Sequence, residues 1–484
     1  MLRRTVVVGC ILFGVCSAVS GGLTGSEEGH NSGRVAKLGR EPPRPRIVIS
    51  SDFPPLDVIP GGLGQGPPEK RSDPDDVQSM VRFLTYANEF RIEGLIAAAA
   101  TSAYIADKRN LLDILDRYEQ VERNLRLHDP AYPTAAALRQ VTKQGLSGTY
   151  GKPADQILGK GKDSEASDFI IRLIDKADAD PVWFCFWGGT QELAQALWRV
   201  RHERKPEEVA KFVSKIRVYM IARQDGTAQW LLDEFPDLFA ILSLRAFAGL
   251  AFTAAGGSAE TGDLAWVNAN VREGHGPLGA IYPPSGWDPN SKGVKEGDTP
   301  SFLYVLSGAS GLGDAQEPSY GGWGGRFRPD GPARKHWWDS DEGPAAVTRW
   351  HAARQADFAA RMDWCVKPFR EANHAPVAVL NGDRTRDVVR LEVSPGQVIA
   401  LNAGGSTDPD GDALSFRWWL YRAAGTYEGA LEIKGADRPK ASLVVPQAAG
   451  GTTIHVIFEV SDAGTPPLTS YRRLVLTVKG KAER

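Results

Sequence analysis

Cysteine and long apolar runs are scarce in this 484-residue sequence, and each shortage excludes something. Of its four cysteines, Cys10 and Cys16 fall in the extreme N-terminal stretch, leaving Cys185 in a strand-like apolar run and Cys365 in a late helix-like run. They have no zinc spacing and no redox-pair spacing, and so read as buried thiols rather than a disulfide. Beyond the N-terminus no segment reaches the roughly 20 apolar residues that a spanning helix needs, so no membrane span is expected. An excess of one charge is also missing: 57 Lys and Arg against 59 Asp and Glu leave a net charge of -2. That balance provides no attraction for nucleic acid or an anionic membrane surface.

Glycine (52), proline (32) and tryptophan (13) are plentiful. The first two predict many loops, and the aromatics suit either cores or carbohydrate-facing surfaces. The length predicts two or three domains. Residues 1–20 carry two arginines near their start, continue through a short apolar run and end in small residues, the pattern of a signal peptide. An uncleaved anchor, or lipid attachment at Cys10, is the alternative. A secreted or periplasmic protein follows, with a disordered leader over 21–44.

From residue 46 to about 368 the chain alternates strand-like and helix-like runs. Strands are predicted at 47–50, 92–98, 182–187 and 216–222, and helices at 75–89, 110–127, 165–177, 191–200 and 228–235. Residues 256–345 read as mostly irregular, and a last helix as 349–369. The pattern predicts an α/β domain with a mostly parallel sheet flanked by helices. In such sheets the ligand crevice lies beyond the carboxyl ends of the strands. There the sequence places Ser51-Asp52, Gly188-Gly189-Thr190-Gln191 and Arg223-Gln224-Asp225-Gly226. After a long loop, Asp73-Pro74-Asp75-Asp76 opens the next helix, with Asp73 expected as N-cap and Pro74 as the first helical residue. The apolar stripe of that helix is Val77, Met80, Val81 and Leu84, with Gln78, Arg82 and Glu89 off it. Capping accounts for one or two of these acids, whereas acids from a strand end and a helix start facing one crevice make an oxygen cage suited to Ca²⁺.

Several of these segments also carry a resemblance. Asp52, Asp75-Asp76, Gly188-Gly189-Thr190-Gln191 and the run GDTPSF at 297–302 resemble, in order, the acidic motifs of nucleoside hydrolases. The runs NEFRIEGLI at 88–96, WGGT at 187–190 and WGGRF at 323–327 resemble the nucleoside hydrolase-like domain of bacterial exported proteins described as cellulose-binding, over residues 45–370. The resemblance implies a Ca²⁺ held by Asp52, Asp76, the Thr190 carbonyl and Asp298. It further implies Asp52 as the base that activates water, and Asp75 gripping sugar hydroxyls. Three positions depart from the pattern: residues 53–74 form an insertion, Ser50 replaces an acid, and Gly297 stands where some members carry a leaving-group histidine. His275 is the catalytic substitute within reach of sequence reasoning, or else an ordinary loop histidine. Gln191 and Asp225 read equally as sugar ligands or as turn and cap residues. Trp266, Trp287, Trp323, Trp337 and Trp338 read as stacking walls of the site, and Trp187 as core.

Residues 374–480 change character, with strands predicted at 398–402, 415–420, 454–461 and 473–478. They predict a small all-β immunoglobulin-like sandwich resembling the C-terminal domain of the same proteins and cadherin-like or polycystic-kidney-disease-like modules. Strand alternation puts one of Trp418 and Trp419 in its core and the other outward. Asp408, Asp410 and Asp412 read as a small Ca²⁺ loop or as an Asx-rich turn. Two readings of the whole remain: a Ca²⁺-dependent hydrolase of an N- or O-glycoside, or a non-catalytic carbohydrate-binding protein on the same fold.

Overall fold

The computed structural model describes residues 44–59, 67, 70, 72–100, 105–251 and 262–480. The expected signal peptide, all but the last residue of the leader and part of the 53–74 insertion lie outside them. Eight strands form one sheet: β1 (Arg46–Ser51), β2 (Arg91–Ala97), β3 (Thr142–Gln144), β4 (Val182–Phe186), β5 (Ile216–Ile221), β6 (Phe239–Ser243), β7 (Phe327–Pro329) and β8 (His336–Asp339). Their order is β3-β2-β1-β4-β5-β6-β8-β7, and every pairing is parallel except β7 with β8.

The strands are apolar throughout because both faces are covered. Ile47, Ile49, Trp183, Cys185 and Tyr219 point to one face, where they meet Val77, Met80, Val81 and Leu84 of the Asp75–Thr85 helix. Val48, Phe184, Phe186, Val218 and Met220 point to the other, against the helices Glu165–Asp175, Gln191–Glu203 and Pro206–Ser214. Cys185 and Cys365 are buried free thiols.

The expected irregular stretch 256–345 is more ordered than its sequence suggests. It contains β7, β8 and the Thr299–Ser307 helix, every residue of which is buried. A helix that is buried all round has no amphipathic period to read. The expected 75–89 helix stops at Thr85 and continues as a single 3₁₀ turn, Ala87–Glu89.

The C-terminal region forms two sheets. One pairs β10 (Val398–Asn402) with β12 (Lys440–Val444); the other runs β11 (Ser415–Leu420), β13 (Thr453–Ser461), β14 (Thr469–Val478), β9 (Val389–Val393). Trp418 is the inward residue, with its ring 4.3 Å from Phe458, and Trp419 faces out. That outer face is not exposed: Trp419 lies 5.7 Å from Trp350, and Tyr421, Ile457 and Tyr471 join the core of the α/β region. Buried Arg473 fastens the contact by donating to the carbonyls of Leu312 (2.5 Å), Tyr320 (2.7 Å) and Gly321 (2.9 Å).

Candidate functional site

Strand order reverses between β1 and β4, and a crevice beyond the strand ends is expected at that switch point. Asp52 follows β1 and is 1% exposed. The segment after β4 can lie against it because residue 188 is glycine: a Cβ there would stand 2.7 Å from Asp52 Oδ1 and 2.9 Å from its backbone N. Gly188→Ala is therefore expected to displace Asp52 and cost about 1–3 kcal/mol in urea denaturation, with a parallel loss of cation affinity by calorimetry.

The Asp75–Thr85 helix brings the next acids. Pro74, not Asp73, is its N-cap, and Asp73 Oδ1 accepts from the Asp75 N–H at 3.3 Å. Ser51 donates its hydroxyl to Asp76 Oδ1. Gln78 and Arg82, expected off the buried stripe, are fully buried because a later segment covers them. Gln78 Nε2 donates to the carbonyls of Pro283 (2.8 Å) and Gly293 (3.0 Å), and its Oε1 accepts from the Lys295 N–H at 2.7 Å. Arg82 pairs with Glu296 at 3.0 Å (Nη2 to Oε1).

This segment delivers the last acid. The Gly297 N–H donates to Asp75 Oδ2 at 3.1 Å. Asp298 stands at the N-cap of the Thr299–Ser307 helix without capping it through its side chain. Trp187 is a core residue, as expected, and its Nε1 donates to Ser301 Oγ at 2.8 Å; that hydroxyl donates to the Asp298 carbonyl at 2.7 Å. The end of β4 and the backbone of Asp298 are thereby locked together.

Carboxylate oxygens of Asp75, Asp76 and Asp298 lie within 4.8 Å of one another, and the buried Asp298 Oδ2 has no hydrogen-bond partner. Burial pushes the Asp298 carboxyl well above the ordinary range, and the charges of Asp75, Asp76, Asp52 and Asp73 push it further. Asp76 is raised by burial and then by Asp52, and Asp75 by burial and then by Asp73 and Asp76. Burial takes Asp73 up to about 6. Like charges kept this close favour either a proton or a cation between them. The donor set is all hard oxygen, the preference of Ca²⁺, and an orphaned buried carboxylate oxygen fits such an ion.

The structure therefore brings together Asp75, Asp76 and Asp298, with the charge of Asp52 near enough to raise Asp76 and Asp298, and places Asp75, expected as a sugar ligand, within the carboxylate cluster. Thr190 is differently engaged: its hydroxyl meets Thr227 Oγ1 at 2.8 Å, and its carbonyl accepts the Ala194 N–H at 3.0 Å. Gln191 donates Nε2 to the Ala99 carbonyl at 3.0 Å and keeps a buried, unpartnered Oε1. Asp225 is a clamp rather than an open ligand. Its oxygens accept from the N–H groups of Thr190 (2.9 Å), Gln191 (3.1 Å), Thr227 (2.9 Å) and Ala228 (3.1 Å).

His275 is not brought to the acids. It lies 3.2 Å from Asp363, beside a glycine packed on Val121 of the Lys108–His128 helix. That helix meets the crevice region at its other end, where Asn110 Nδ2 donates to the Phe53 carbonyl at 3.1 Å. Asn110 to Val121 spans about 16 Å of helix.

The expected tryptophan walls also dissolve in part. Trp323 is buried against Tyr471 at 6.1 Å, Trp337 packs at 6.3 Å from Phe239, and Trp338 lies under Arg223. Trp287 is 57% exposed. Sequence reading missed the Arg82–Glu296 pair, whose members are 214 positions apart and share no local signal.

A family described as "Cellulose-binding Sde182, nucleoside hydrolase-like domain" matches residues 69–327, and "Cellulose-binding protein Sde0182, C-terminal domain" matches 398–478. Among solved structures, a nucleoside hydrolase-related hypothetical protein from Saccharophagus degradans, associated with carbohydrate metabolism, is 34% identical. The match covers 90% of this chain and 100% of that one, with a TM-score of 0.76. The PKD domain of the KIAA 1837 protein is 18% identical over 20% of this chain and 84% of its own, with a TM-score of 0.16. None of the curated proteins matches.

Proposed function

The chain belongs to the family of cellulose-binding proteins with a nucleoside hydrolase-like domain, and from that premise we propose that it is an exported, Ca²⁺-dependent hydrolase of a glycosidic bond, N- or O-linked. The observation that carries this reading is the meeting of Asp75, Asp76 and Asp298 around an unpartnered carboxylate oxygen, with Asp52 beside them. Asp75, Asp76 and Asp298 would hold the ion, with the second lone pair of the Thr190 carbonyl as a further donor. A bound hard cation supplies Lewis-acid polarisation of water and of sugar hydroxyls.

The chain's own groups do the rest. Asp52 accepts a proton at its carboxylate, as the base for an attacking water. Gln191 Oε1 accepts a hydrogen bond from a sugar hydroxyl, which satisfies an otherwise orphaned buried atom. Asp225, holding the backbone of Thr190 and Gln191, is a positioning residue. Position 297 supplies only an N–H, already given to Asp75, so the reaction suits a leaving group that departs without protonation.

The same observation, with His275 committed to Asp363, favours a second reading in which the crevice binds carbohydrate without cleaving it. Calorimetric Ca²⁺ titration, turnover of a panel of nucleosides and aryl glycosides, and retention on insoluble cellulose separate the two. Hydrolysis that requires Ca²⁺ and disappears in Asp76→Ala supports the hydrolase. Retention on cellulose without turnover selects the binding protein, and absence of both activities and of ion binding defeats both readings.

A further inference from the structure

A second group of acids lies where the α/β region passes into the sandwich. Carboxylate oxygens of Asp408, Asp410 and Asp412 lie within 4.8 Å of one another. Acids in a turn are commonly no more than a turn, and the hydrogen bonds of Asp408 Oδ1 to the N–H groups of Asp410 (2.9 Å) and Asp412 (3.0 Å) are of that kind. The independent observation comes from Asp462, which follows β13 and is only 5% exposed.

Asp462 Oδ1 is fully used by the frame around it. It accepts from Asn373 Nδ2 (3.0 Å), the Gly464 N–H (3.0 Å) and the Leu468 N–H (2.9 Å). Its other oxygen, Oδ2, is buried and has no partner, and Asp408 Oδ2 is in the same condition. Each carboxylate is thus held rigidly by one oxygen and presents the other bare, which costs free energy unless something fills the gap. The linker binds the two groups into one locale. While Asn373 holds Asp462, the next residue's N–H, that of His374, donates to Asp410 Oδ2 at 2.8 Å and meets Asn373 Oδ1 at 3.1 Å. Burial and the charge of Asp408 both raise the Asp462 carboxyl.

We propose that Asp408, Asp410, Asp412 and Asp462 form a second cation site, separate from the crevice, that takes a hard divalent ion of the Ca²⁺ type and clamps the linker between the two regions. Acidic oxygens supplied from two separate segments suit an ion that accepts six to eight oxygen ligands. Its role is mechanical. The linker at Asn373 and His374 is held to both acid-bearing segments, so charge neutralisation there stiffens the junction.

Equilibrium dialysis with Ca²⁺ on the full chain tests this. In the Asp76→Asn, Asp298→Asn background, which removes the crevice cage, about one Ca²⁺ per chain is expected to remain, and adding Asp462→Asn is expected to abolish it. Ca²⁺ is also expected to slow tryptic cleavage at Arg370 in that background, and not after Asp462→Asn. Asp412→Asn, at a less buried position, is the folding-safe counterpart. With an unchanged melting curve in EDTA it is expected to weaken the remaining site at least about tenfold, or roughly 1.4 kcal/mol. No Ca²⁺ bound in the background variant, or undiminished binding after both Asp412→Asn and Asp462→Asn, overturns the proposal.

Discussion

Held in EDTA, the protein is expected to lose stability as pH rises from about 4 to 7, and Ca²⁺ is expected to remove most of that loss. A carboxyl whose folded pKa lies above its unfolded value stabilises the fold fully below the unfolded value. It gives that stability up as pH climbs through the folded one. Asp73 spans the window from 3.8 to about 6, and Asp75, Asp76 and Asp298 are raised well beyond 3.8. Asp73 alone corresponds to about 3 kcal/mol, against a total stability of roughly 5–15 kcal/mol. Other acids act oppositely: Glu89 is pushed up by burial but held below its ordinary value by Arg361 and Arg386. The difference between melts with and without Ca²⁺ cancels such terms.

The same repulsion gives Asp298→Asn a two-sided signature. Without cation it should raise the melting temperature at pH 7, because one charge leaves a crowded group. With Ca²⁺ it should lower it, because a ligand is lost, and the affinity should fall about 100-fold, or roughly 2.7 kcal/mol. Stability in EDTA that rises steadily from pH 4 to 7, together with an Asp298→Asn variant that melts lower in both conditions, would show that the acids are not a cation cage.

Arg82→Ala is expected to cost about 3–5 kcal/mol in urea denaturation, the penalty for leaving a buried carboxylate without its cation. Arg82 and Glu296 are both fully buried. Arg82 also donates to Gln355 Oε1 at 2.8 Å and lies 3.8 Å over the Phe358 ring. Glu296 in turn accepts from Tyr282 (2.6 Å) and Thr299 (2.8 Å), so the pair fastens the segment carrying Asp298 to the helix carrying Asp75 and Asp76. Ca²⁺ affinity should therefore fall with stability, although Arg82 touches none of the cage oxygens. Combining Arg82→Met with Glu296→Gln should recover part of the stability by removing the stranded charge. A single-variant cost below about 1 kcal/mol, or no recovery in the pair, would mean that Arg82 acts only by packing.

Much of the fold is legible in the sequence. The apolar runs that became β1, β2, β4 and β5, and the helices between them, announce a parallel sheet covered on both faces. The short β8 and the uniformly buried Thr299–Ser307 helix do not, since neither has enough length or contrast to show a period. Asp52 and Asp76 could be named because acids at a strand end and a helix start stand out locally, and Asp298 because the run GDTPSF resembles a nucleoside hydrolase motif. Their company could not. Asp75 joins the cage because Gly297 meets it from 222 positions away, and Asp225 leaves the candidate ligands because a neighbouring loop consumes its oxygens. Trp323, expected as a stacking wall, and Trp419, the outward residue of its strand, are closed off by the packing of the sandwich against the α/β region.

By itself, then, the sequence determined the alternation of elements, the positions of the acids and the lack of a membrane-spanning run beyond the N-terminal stretch. These are properties of side-chain periodicity and residue type, which each short stretch carries alone. Only the tertiary structure decided which acids stand together, that His275 is directed to Asp363 instead, and that Arg82 and Glu296 hold the two halves of the site in register. Those outcomes depend on strand order and on the path of long loops, and hence on contacts between residues hundreds of positions apart that no local pattern encodes.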